Sequence, residues 1–322
     1  MSQSLRVRLR ALLSLGMLAA LLAASDAAAE GCRRALAVCG RVIVPSLFPF
    51  LALSSFVSAL GLPGLLGRVL TPFAMRLYGV SGAGASALVI GLTGGYPAGA
   101  AYLAKLEKSG AITTRECERL LAFCNNSGPA FLVGAVGMGV FRSVRIGLLL
   151  YGVHILAALL TGLFFRNGSS FDAQAPVFLD TADPFSALTD AVRDAAQALV
   201  NICGFVLFFS ALTAVLDAGG ALSLLCGLLA EHCGWPLSFS RAMLTGFFEL
   251  GSGIAAMEGL APSPATLALA AFLCGWGGLS VCFQSLALLK DSKAKGALLL
   301  TGHLLRASLG AALAFAVGVF LK

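Results

Sequence analysis

The stretch Gly91-Leu-Thr-Gly-Gly-Tyr-Pro-Ala-Gly-Ala100 is a glycine-rich, polar interruption of an otherwise apolar run. A second interruption of the same kind, Gly246-Phe-Phe-Glu-Leu-Gly-Ser-Gly-Ile-Ala255, begins 155 residues later. Because the backbone inside a membrane must satisfy its own hydrogen bonds, a helix is interrupted there only where the break is buried or lines a polar cavity. Paired interruptions in the two halves of a chain are typical of a transport site.

The composition of the chain is that of a polytopic membrane protein. Apolar residues make up 58% of the 322 residues and charged residues only 11%, whereas about a quarter of the residues in soluble domains are charged. The Lys and Arg residues are scattered singly between apolar segments, so the net charge of +7 is a topology signal. We therefore expect the lipid bilayer as a partner and no nucleic acid.

The cysteines and histidines do not predict chemistry. The nine cysteines form no CxxC pair, and the three histidines are far apart without HExxH spacing. Neither a disulfide framework nor a metal site is predicted. A nucleophile and base with recognisable spacing are also missing from the sequence, so we expect no enzyme and no cofactor.

Residues 1–30 allow two interpretations. Arg6, Arg8 and Arg10 precede 14 apolar residues, Ala11 to Ala24. This is the pattern of a signal peptide, and the run is only about 21 Å long as a helix against a hydrocarbon core of about 30 Å. We favour the alternative, an uncleaved transmembrane anchor that is extended through Ala29.

The rest of the chain divides into two similar units, repeat 1 (31–165) and repeat 2 (186–322), around a polar acidic linker (166–185). Each is expected to contain a span, a short interfacial helix, a re-entrant hairpin, a broken span and a last span. Short matches support the duplication, such as His154-Ile-Leu-Ala-Ala158 with His303-Leu-Leu-Arg-Ala307. The predicted elements are 41–60, 62–78, 81–104, 119–141 and 146–165 in repeat 1, and 196–216, 219–233, 239–257, 265–289 and 297–320 in repeat 2.

Parity and charge predict that the two repeats are inverted. If each holds three full spans and a hairpin that returns to its own side, the second must enter the membrane from the opposite face. A cytoplasmic N-terminus places 14 Lys and Arg residues on the cytoplasmic side and seven on the other, with Arg306 inside the membrane. This agrees with the positive-inside rule. The predicted fold is an all-α polytopic helical bundle in a bacterial cell membrane.

Polar residues of the hairpins and broken spans are the candidate substrate-binding residues. Pro129 lacks an N–H, so the first broken span is expected to unwind at Asn125-Asn126-Ser127-Gly128-Pro129. The matching place in the second is Gly275 to Gly278. Two unwound spans facing two hairpin tips would enclose one pocket. The candidates are Thr93, Tyr96, Asn125, Asn126, Ser127, Ser252, Trp276, Ser280, Gln284 and Arg306.

Two ionisable residues, Glu249 and Arg306, lie within apolar segments of repeat 2 and are functional candidates because a charge at that depth is costly. Arg306 could neutralise an anionic substrate. Glu249 could carry a coupling proton or could form a structural ion pair with Arg306, and the sequence leaves both roles open. His154 and His303 are interpreted as packing residues.

Four segments carry a family resemblance: Pro45-Ser-Leu-Phe-Pro-Phe50, Gly94-Gly-Tyr-Pro-Ala-Gly99, Leu120-Leu-Ala-Phe-Cys-Asn-Asn-Ser-Gly-Pro129 and Gly277-Gly-Leu-Ser-Val-Cys-Phe-Gln284. Together they resemble the YlbJ family of sporulation integral membrane proteins, over roughly residues 30 to 320. That family belongs to the nucleoside-recognition or Gate group, which includes concentrative nucleoside transporters. The chain departs from nucleoside transporters in having Tyr96-Pro97 in its first hairpin and Glu249 as the only acidic residue of its second.

The resemblance implies a role in sporulation and transport of dipicolinate across the outer forespore membrane. We therefore expect a permease for a small polar, anionic solute, with an aromatic dicarboxylate stacked on Trp276 and its carboxylates held by Asn125, Asn126 and Ser127. Two alternatives stay open: a non-transporting membrane scaffold for sporulation proteins, and a nucleoside or ion permease of the Gate group. Homo-oligomers and assembly with sporulation membrane proteins also stay open.

Overall fold

The computed structural model describes residues 3–166 and 183–320. Within these two ranges every regular element is a helix. The predicted all-helical membrane fold is confirmed, although most of the predicted linker, residues 167–182, lies outside the described residues. Five helices of the described ranges are long and apolar enough to span a membrane: Ser25–Ala59, Val144–Phe164, Pro184–Ala218, Pro264–Leu288 and Leu299–Phe320.

The first half of the chain follows the predicted order of elements. Helices α4 (Leu62–Tyr78) and α5 (Gly82–Thr93) meet at 98°. This is the geometry expected of a surface helix followed by a hairpin. Helices α5 and α6 form the first hairpin, and the residues between α7 and a π-helical segment, π2, form the first break. The elements are α1 (Gln3–Ala23), α2 (Ser25–Val38), π1 (Cys39–Ile43), α3 (Val44–Ala59), α4 (Leu62–Tyr78), α5 (Gly82–Thr93), α6 (Ala98–Lys108), α7 (Thr114–Leu121), π2 (Ala130–Val140) and α8 (Val144–Phe164).

The second half has the same order. Helices α11 and α12 form the second hairpin, and Gly277 separates α13 from α14 at the second break. The inverted orientation of the two repeats in the membrane stays a prediction. The elements are α9 (Pro184–Ala218), α10 (Ala221–Cys233), α11 (Leu237–Phe248), α12 (Leu250–Ala255), α13 (Pro264–Trp276), α14 (Gly278–Leu288) and α15 (Leu299–Phe320).

The start of repeat 1 differs from its prediction. The boundary expected after residue 30 falls inside a continuous helix that runs from α2 through π1 to α3, and the chain breaks earlier, at Ala24. Across this boundary Glu30 forms ion pairs with Arg33 (2.9 Å) and Arg34 (3.7 Å), whose helical spacing adds a small stabilisation to the continuous helix.

The start of repeat 2 also differs. The span predicted at 196–216 is part of α9, which has 35 residues and starts at Pro184. Asp183 caps this helix by accepting the N–H of Ser186 at 3.1 Å, and proline at the first helical position has no N–H to leave unsatisfied. The predicted linker therefore ends about two residues earlier than its expected limit of 185, since its last residues are helical.

The core that positions the site lies between the repeats. Segments π2 and α8 of repeat 1 pack with α13 and α15 of repeat 2 around buried residues that include Leu132, Leu150 and Leu273. Small residues allow the closest approach: a Cβ on Gly275 would lie only 2.6 Å from the Cα of Ala307. Helices α13 and α15 are therefore held together by backbone packing, and the Oγ of Ser127 in the first break donates to the carbonyl oxygen of Cys274 beside the second at 3.0 Å.

Candidate functional site

The first hairpin sits directly on the first break. Its turn consists of Gly94 to Pro97, with Gly95 at a φ of 76°. A Cβ on Gly91 would lie 1.9 Å from the carbonyl oxygen of Cys124, and one on Gly99 would lie 2.0 Å from the same atom. Glycine is therefore required on both arms of the hairpin, because backbone packs on backbone there.

Asn125 and Asn126 hold the first break together. The Nδ2 of Asn125 donates to the Oγ of Ser285 at 2.7 Å, and its Oδ1 accepts the N–H of Ala100 at 3.3 Å. The Nδ2 of Asn126 donates to the carbonyl oxygen of Phe123 at 2.8 Å, while its Oδ1 has no protein partner in the described part of the chain. Both side chains are completely buried.

Glu249 forms the second hairpin's own cap. It has extended backbone between α11 and α12, and its carboxylate accepts the N–H groups of Gly251 (2.8 Å) and Ser252 (2.5 Å). These are N–H groups that a helix start leaves without partners, and a carboxylate there also interacts favourably with the helix dipole. A buried charge is thus stabilised by backbone dipoles.

The second break is formed by glycine. Gly277 and Gly278 have φ values of 81° and 79°, and α14 starts there without a side-chain cap. A Cβ on Gly278 would lie 2.9 Å from the backbone nitrogen of Leu250, so the second hairpin packs on this break. The Nε1 of Trp276 donates to the carbonyl oxygen of Phe247 at 2.9 Å, which fixes α13 to the same hairpin.

Arg306 joins both breaks to the first hairpin. Its guanidinium donates to the carbonyl oxygens of Gly275 (3.0 Å) and Ala122 (3.4 Å) and to the Oη of Tyr96 (2.7 Å). These carbonyls belong to the ends of α13 and α7, where the helix dipole favours a cation. Within the described residues Arg306 forms no ion pair with Glu249. The structural pair that the sequence left open is therefore not formed in this structure.

His154 and His303 support one break each. The Nε2 of His154, on α8, accepts the N–H of Ser127 at 3.1 Å. The Nδ1 of His303, on α15, donates to the carbonyl oxygen of Trp276 at 2.9 Å. Both imidazoles are buried. They satisfy backbone groups that lack helical partners, which is a more specific role than the packing that the sequence predicted.

A cavity lies where the hairpins and the breaks converge. Its polar wall contains hairpin and break residues, and its apolar wall comes from π1, α3, π2 and α9. About 60 Å³ of this cavity is accessible to water. The residues that line it include Ile43, Leu47, Phe50, Leu51, Thr93, Gly94, Gly95, Tyr96, Ser127, Gly128, Phe131, Ile202, Val206, Glu249, Gly251, Ser280, Val281 and Gln284.

Some predicted site residues line this cavity and others do not. Those that line it are Thr93, Tyr96, Ser127, Glu249, Ser280 and Gln284. Those that do not line it are Asn125, Asn126, Ser252, Trp276 and Arg306. The predicted stacking of a dicarboxylate on Trp276 does not fit this structure, because that ring is 3% exposed and is stacked on Phe247 with centroids 5.1 Å apart.

Ser280 and Gln284 are the polar side chains of the cavity with unused hydrogen-bonding capacity. Both lie on α14 and line the cavity. In the described ranges neither the Ser280 hydroxyl nor the Gln284 amide bonds to another protein group, whereas the Oγ of Ser127 donates to the carbonyl oxygen of Cys274 at 3.0 Å. A buried hydroxyl and amide without protein partners are suited to hydrogen bonding a ligand.

The comparisons with known proteins agree with this geometry. The chain is 29% identical over 293 residues to the sporulation integral membrane protein YlbJ of Bacillus subtilis (strain 168), a match that covers 83% of this chain and 72% of that protein. No family model matches the chain.

Solved structures of CNTnw, a concentrative nucleoside transporter, have a similar fold. Its inward-facing, substrate-bound state superposes with a TM-score of 0.60 at 17% identity, over 98% of this chain and 85% of that one. A variant in an intermediate state gives 0.62 at 16% identity, over 96% and 84%. The chain thus has the fold of a concentrative nucleoside transporter, and its predicted resemblance to the YlbJ family of sporulation integral membrane proteins is confirmed.

Proposed function

We propose that this chain is a membrane permease that binds a small polar solute in the central cavity. The observation that carries the proposal is the convergence of both hairpins and both breaks on one cavity, in which Ser280 and Gln284 have no protein partners. Apolar walls with a few placed polar groups are typical of small-molecule sites. The transporter fold supports the same conclusion.

Two features determine which groups an anionic solute would meet in the cavity: the bonds that Arg306 already makes, and the carboxylate of Glu249. Arg306, which the sequence suggested as the anion's partner, donates instead to carbonyl oxygens and Tyr96. An anion would therefore bind to hydroxyl and amide donors and to the uncapped N-terminus of α14. Because the carboxylate of Glu249 lines the same cavity, we propose that an anion such as dipicolinate enters together with a proton on Glu249.

Transport also requires the cavity to open and widen. The polar cavity residues Glu249, Ser280 and Gln284 are only 2%, 1% and 6% exposed, so we propose that the structure corresponds to a closed state of the cavity. We propose alternating access, with the two inverted repeats moving around the cavity and the N-terminus in the cytoplasm. The similarity to YlbJ supports action during sporulation, which we place at the outer forespore membrane.

The experiment is solute flux into proteoliposomes with dipicolinate, uridine and protons. Ser280→Ala and Gln284→Ala each remove one hydrogen-bonding group, so each is expected to reduce flux of the true solute about two- to tenfold. Ser308→Ala and Gln197→Ala are matched controls, since both residues are exposed on helices of the same protein. They are expected to leave flux unchanged.

The outcomes separate the alternatives. Proton-coupled dipicolinate flux that depends on Ser280 and Gln284 supports the full proposal. Uridine flux without dipicolinate flux would support a nucleoside permease in its place. If a correctly inserted protein moves none of the three, the permease proposal fails and the scaffold is favoured.

A further inference from the structure

A second cavity continues from the central one toward the surface. About 190 Å³ of it is accessible to water, and Ile43, Phe131 and Gly251 line both cavities. Ile43 and Phe131 are 3% and 8% exposed, and a Cβ on Gly251 would lie 3.3 Å from the Cδ1 of Ile43. These three residues therefore form an apolar constriction between the central cavity and a vestibule.

Arg142 and Glu258 lie across the mouth of this vestibule. Both line it, and the Nη2 of Arg142 is 3.2 Å from the Oε1 of Glu258. Arg142 follows π2 of repeat 1, and Glu258 follows α12 of repeat 2. The ion pair thus joins the first broken span to the second hairpin at the point where the vestibule opens.

The backbone at Arg142 is in an unusual conformation. Its φ of 53° is the one positive value among the non-glycine residues of the described ranges, and arginine adopts this region at an energetic cost. The turn is fixed on both sides, because the N–H of Phe141 donates to Val136 (3.1 Å) and the N–H of Ser143 donates to Gly137 (2.9 Å). The turn therefore directs Arg142 toward the second hairpin from a firmly anchored position.

On the other face of the molecule, the two repeats are joined by several hydrogen bonds to carboxylates instead of by one exposed ion pair. There the end of the first hairpin and α7 meet the loop before α15. Glu107 accepts from Ser292 (2.9 Å) and from the N–H of Lys293 (3.3 Å), and Glu118 accepts from Gly296 (3.0 Å), Lys295 and Ala297. By contrast, the side chains of Arg142 and Glu258 are 74% and 69% exposed, so their attraction is weakened by water.

We propose that the Arg142–Glu258 ion pair is the latch of the vestibule. When it opens, the second hairpin moves away from the first broken span and the apolar constriction separates, which gives the central cavity access to this face. The first hairpin, bound by its network of carboxylates, stays in place. As a route for solute the latch rests on the proposed permease function, but its opening can be measured without any solute.

The test is the accessibility of the cavity to a thiol reagent. Ser280→Cys places a thiol in the central cavity, and a membrane-impermeant methanethiosulfonate is added to one side of sealed vesicles. Fragment-ion mass spectrometry assigns the label to position 280, because it separates this position from the neighbouring natural cysteines Cys274 and Cys282. Adding Arg142→Ala or Glu258→Ala is expected to accelerate labelling from the Glu258 side by about twofold, as loss of an exposed ion pair allows.

Three controls define the effect. Arg145→Ala, an exposed cation three residues from Arg142, is expected to label at the parental rate. The reversed pair Arg142→Glu with Glu258→Arg is expected to restore the slow rate. Labelling from the opposite side is expected to stay constant in all variants.

The latch is overturned if Arg142→Ala and Glu258→Ala label at the parental rate from both sides, or if labelling rises from the opposite side. The result is separable from the permease proposal. Faster labelling in a protein that moves no solute keeps the latch and rejects the permease, whereas flux with unchanged labelling keeps the permease and rejects the latch.

In the flux assay, a disulfide between Arg142→Cys and Glu258→Cys is expected to stop transport until reductant is added.

Discussion

The two hairpins match in sequence position but differ in what holds them. The first is attached to other parts of the chain: Gly91 and Gly99 pack against Cys124, and the Oη of Tyr96 donates to the carbonyl oxygen of Cys274 at 3.1 Å. The second is capped by its own Glu249. The first hairpin is therefore joined by backbone packing and hydrogen bonds to both breaks, whereas the second caps its own helix start and enters the core between the repeats through apolar residues such as Leu250 and Ile254.

Two repeats with the same order of elements therefore need not be equally mobile. The second hairpin contacts its surroundings through few polar bonds, among them Ser252 to Ser210 at 2.9 Å and Trp276 to Phe247. Segments with few such bonds open at lower free energy than segments tied into a network. We therefore expect substitutions in the first hairpin to affect stability and those in the second to affect opening.

The largest effect is expected for Gly91→Ala. Its Cβ would meet the backbone oxygen of Cys124 at 1.9 Å, and backbone at a buried contact cannot easily move. We expect a loss of about 3 kcal/mol or more in the free energy of unfolding, measured by denaturant titration in detergent. The matched substitution Gly246→Ala in the second hairpin meets the movable side chain of Leu273 at 2.6 Å and is expected to cost about 1 kcal/mol. Equal losses would contradict the comparison.

Arg306→Leu is expected to cause the second largest loss in the free energy of unfolding. It removes every donor that joins Ala122, Gly275 and Tyr96, and buried acceptors left without donors should lower the free energy of unfolding by about 2 to 3 kcal/mol. Arg306→Lys keeps the charge but not the fork of donors, so an intermediate loss is expected in the same titration. An unchanged Arg306→Leu protein would show that the two breaks do not depend on this residue.

Glu249 provides the corresponding test in the second hairpin. Glu249→Ala leaves the N–H groups of Gly251 and Ser252 without their acceptor and is expected to cost about 1 to 2 kcal/mol, as loss of a helix cap does. Glu249→Gln keeps an acceptor oxygen and should be more stable than the alanine variant. If Glu249 carries the coupling proton, flux through Glu249→Gln becomes independent of pH. Flux that still follows a pH gradient would assign the proton elsewhere.

The order of elements could be predicted because it depends on local signals. Glycine-rich interruptions mark the hairpins, and Pro129 marks the first break, since a residue without an N–H cannot continue a helix. The start of the long helix at Ser25 was not predicted, because the anchor was extended through Ala29 and the next span was expected only from residue 41. In the structure Glu30 pairs with Arg33 and Arg34 along one helix.

The partners of the candidate residues could not be predicted, because they are set by contacts distant in sequence. Arg306 is within 3.4 Å of an oxygen 184 residues away, and no spacing rule connects the two. The indole ring of Trp276 is of a kind that often stacks on ligands, but it is covered by Phe247. Ser280 and Gln284 line the cavity, since they follow a glycine break at helical spacing on α14, and their role in binding stays a prediction.

The smallest expected effects compare the outer contacts of the two hairpins. Glu118→Ala removes the acceptor of three backbone N–H groups, of Lys295, Gly296 and Ala297, and is expected to cost about 1 kcal/mol. Glu258→Ala removes one exposed ion pair and should cost no more than about 0.5 kcal/mol. High salt should abolish the second cost but leave most of the first, because screening weakens an exposed ion pair more than hydrogen bonds to a half-buried carboxylate. Equal costs with equal salt dependence would mean that the two faces are held alike and that neither hairpin is favoured to move.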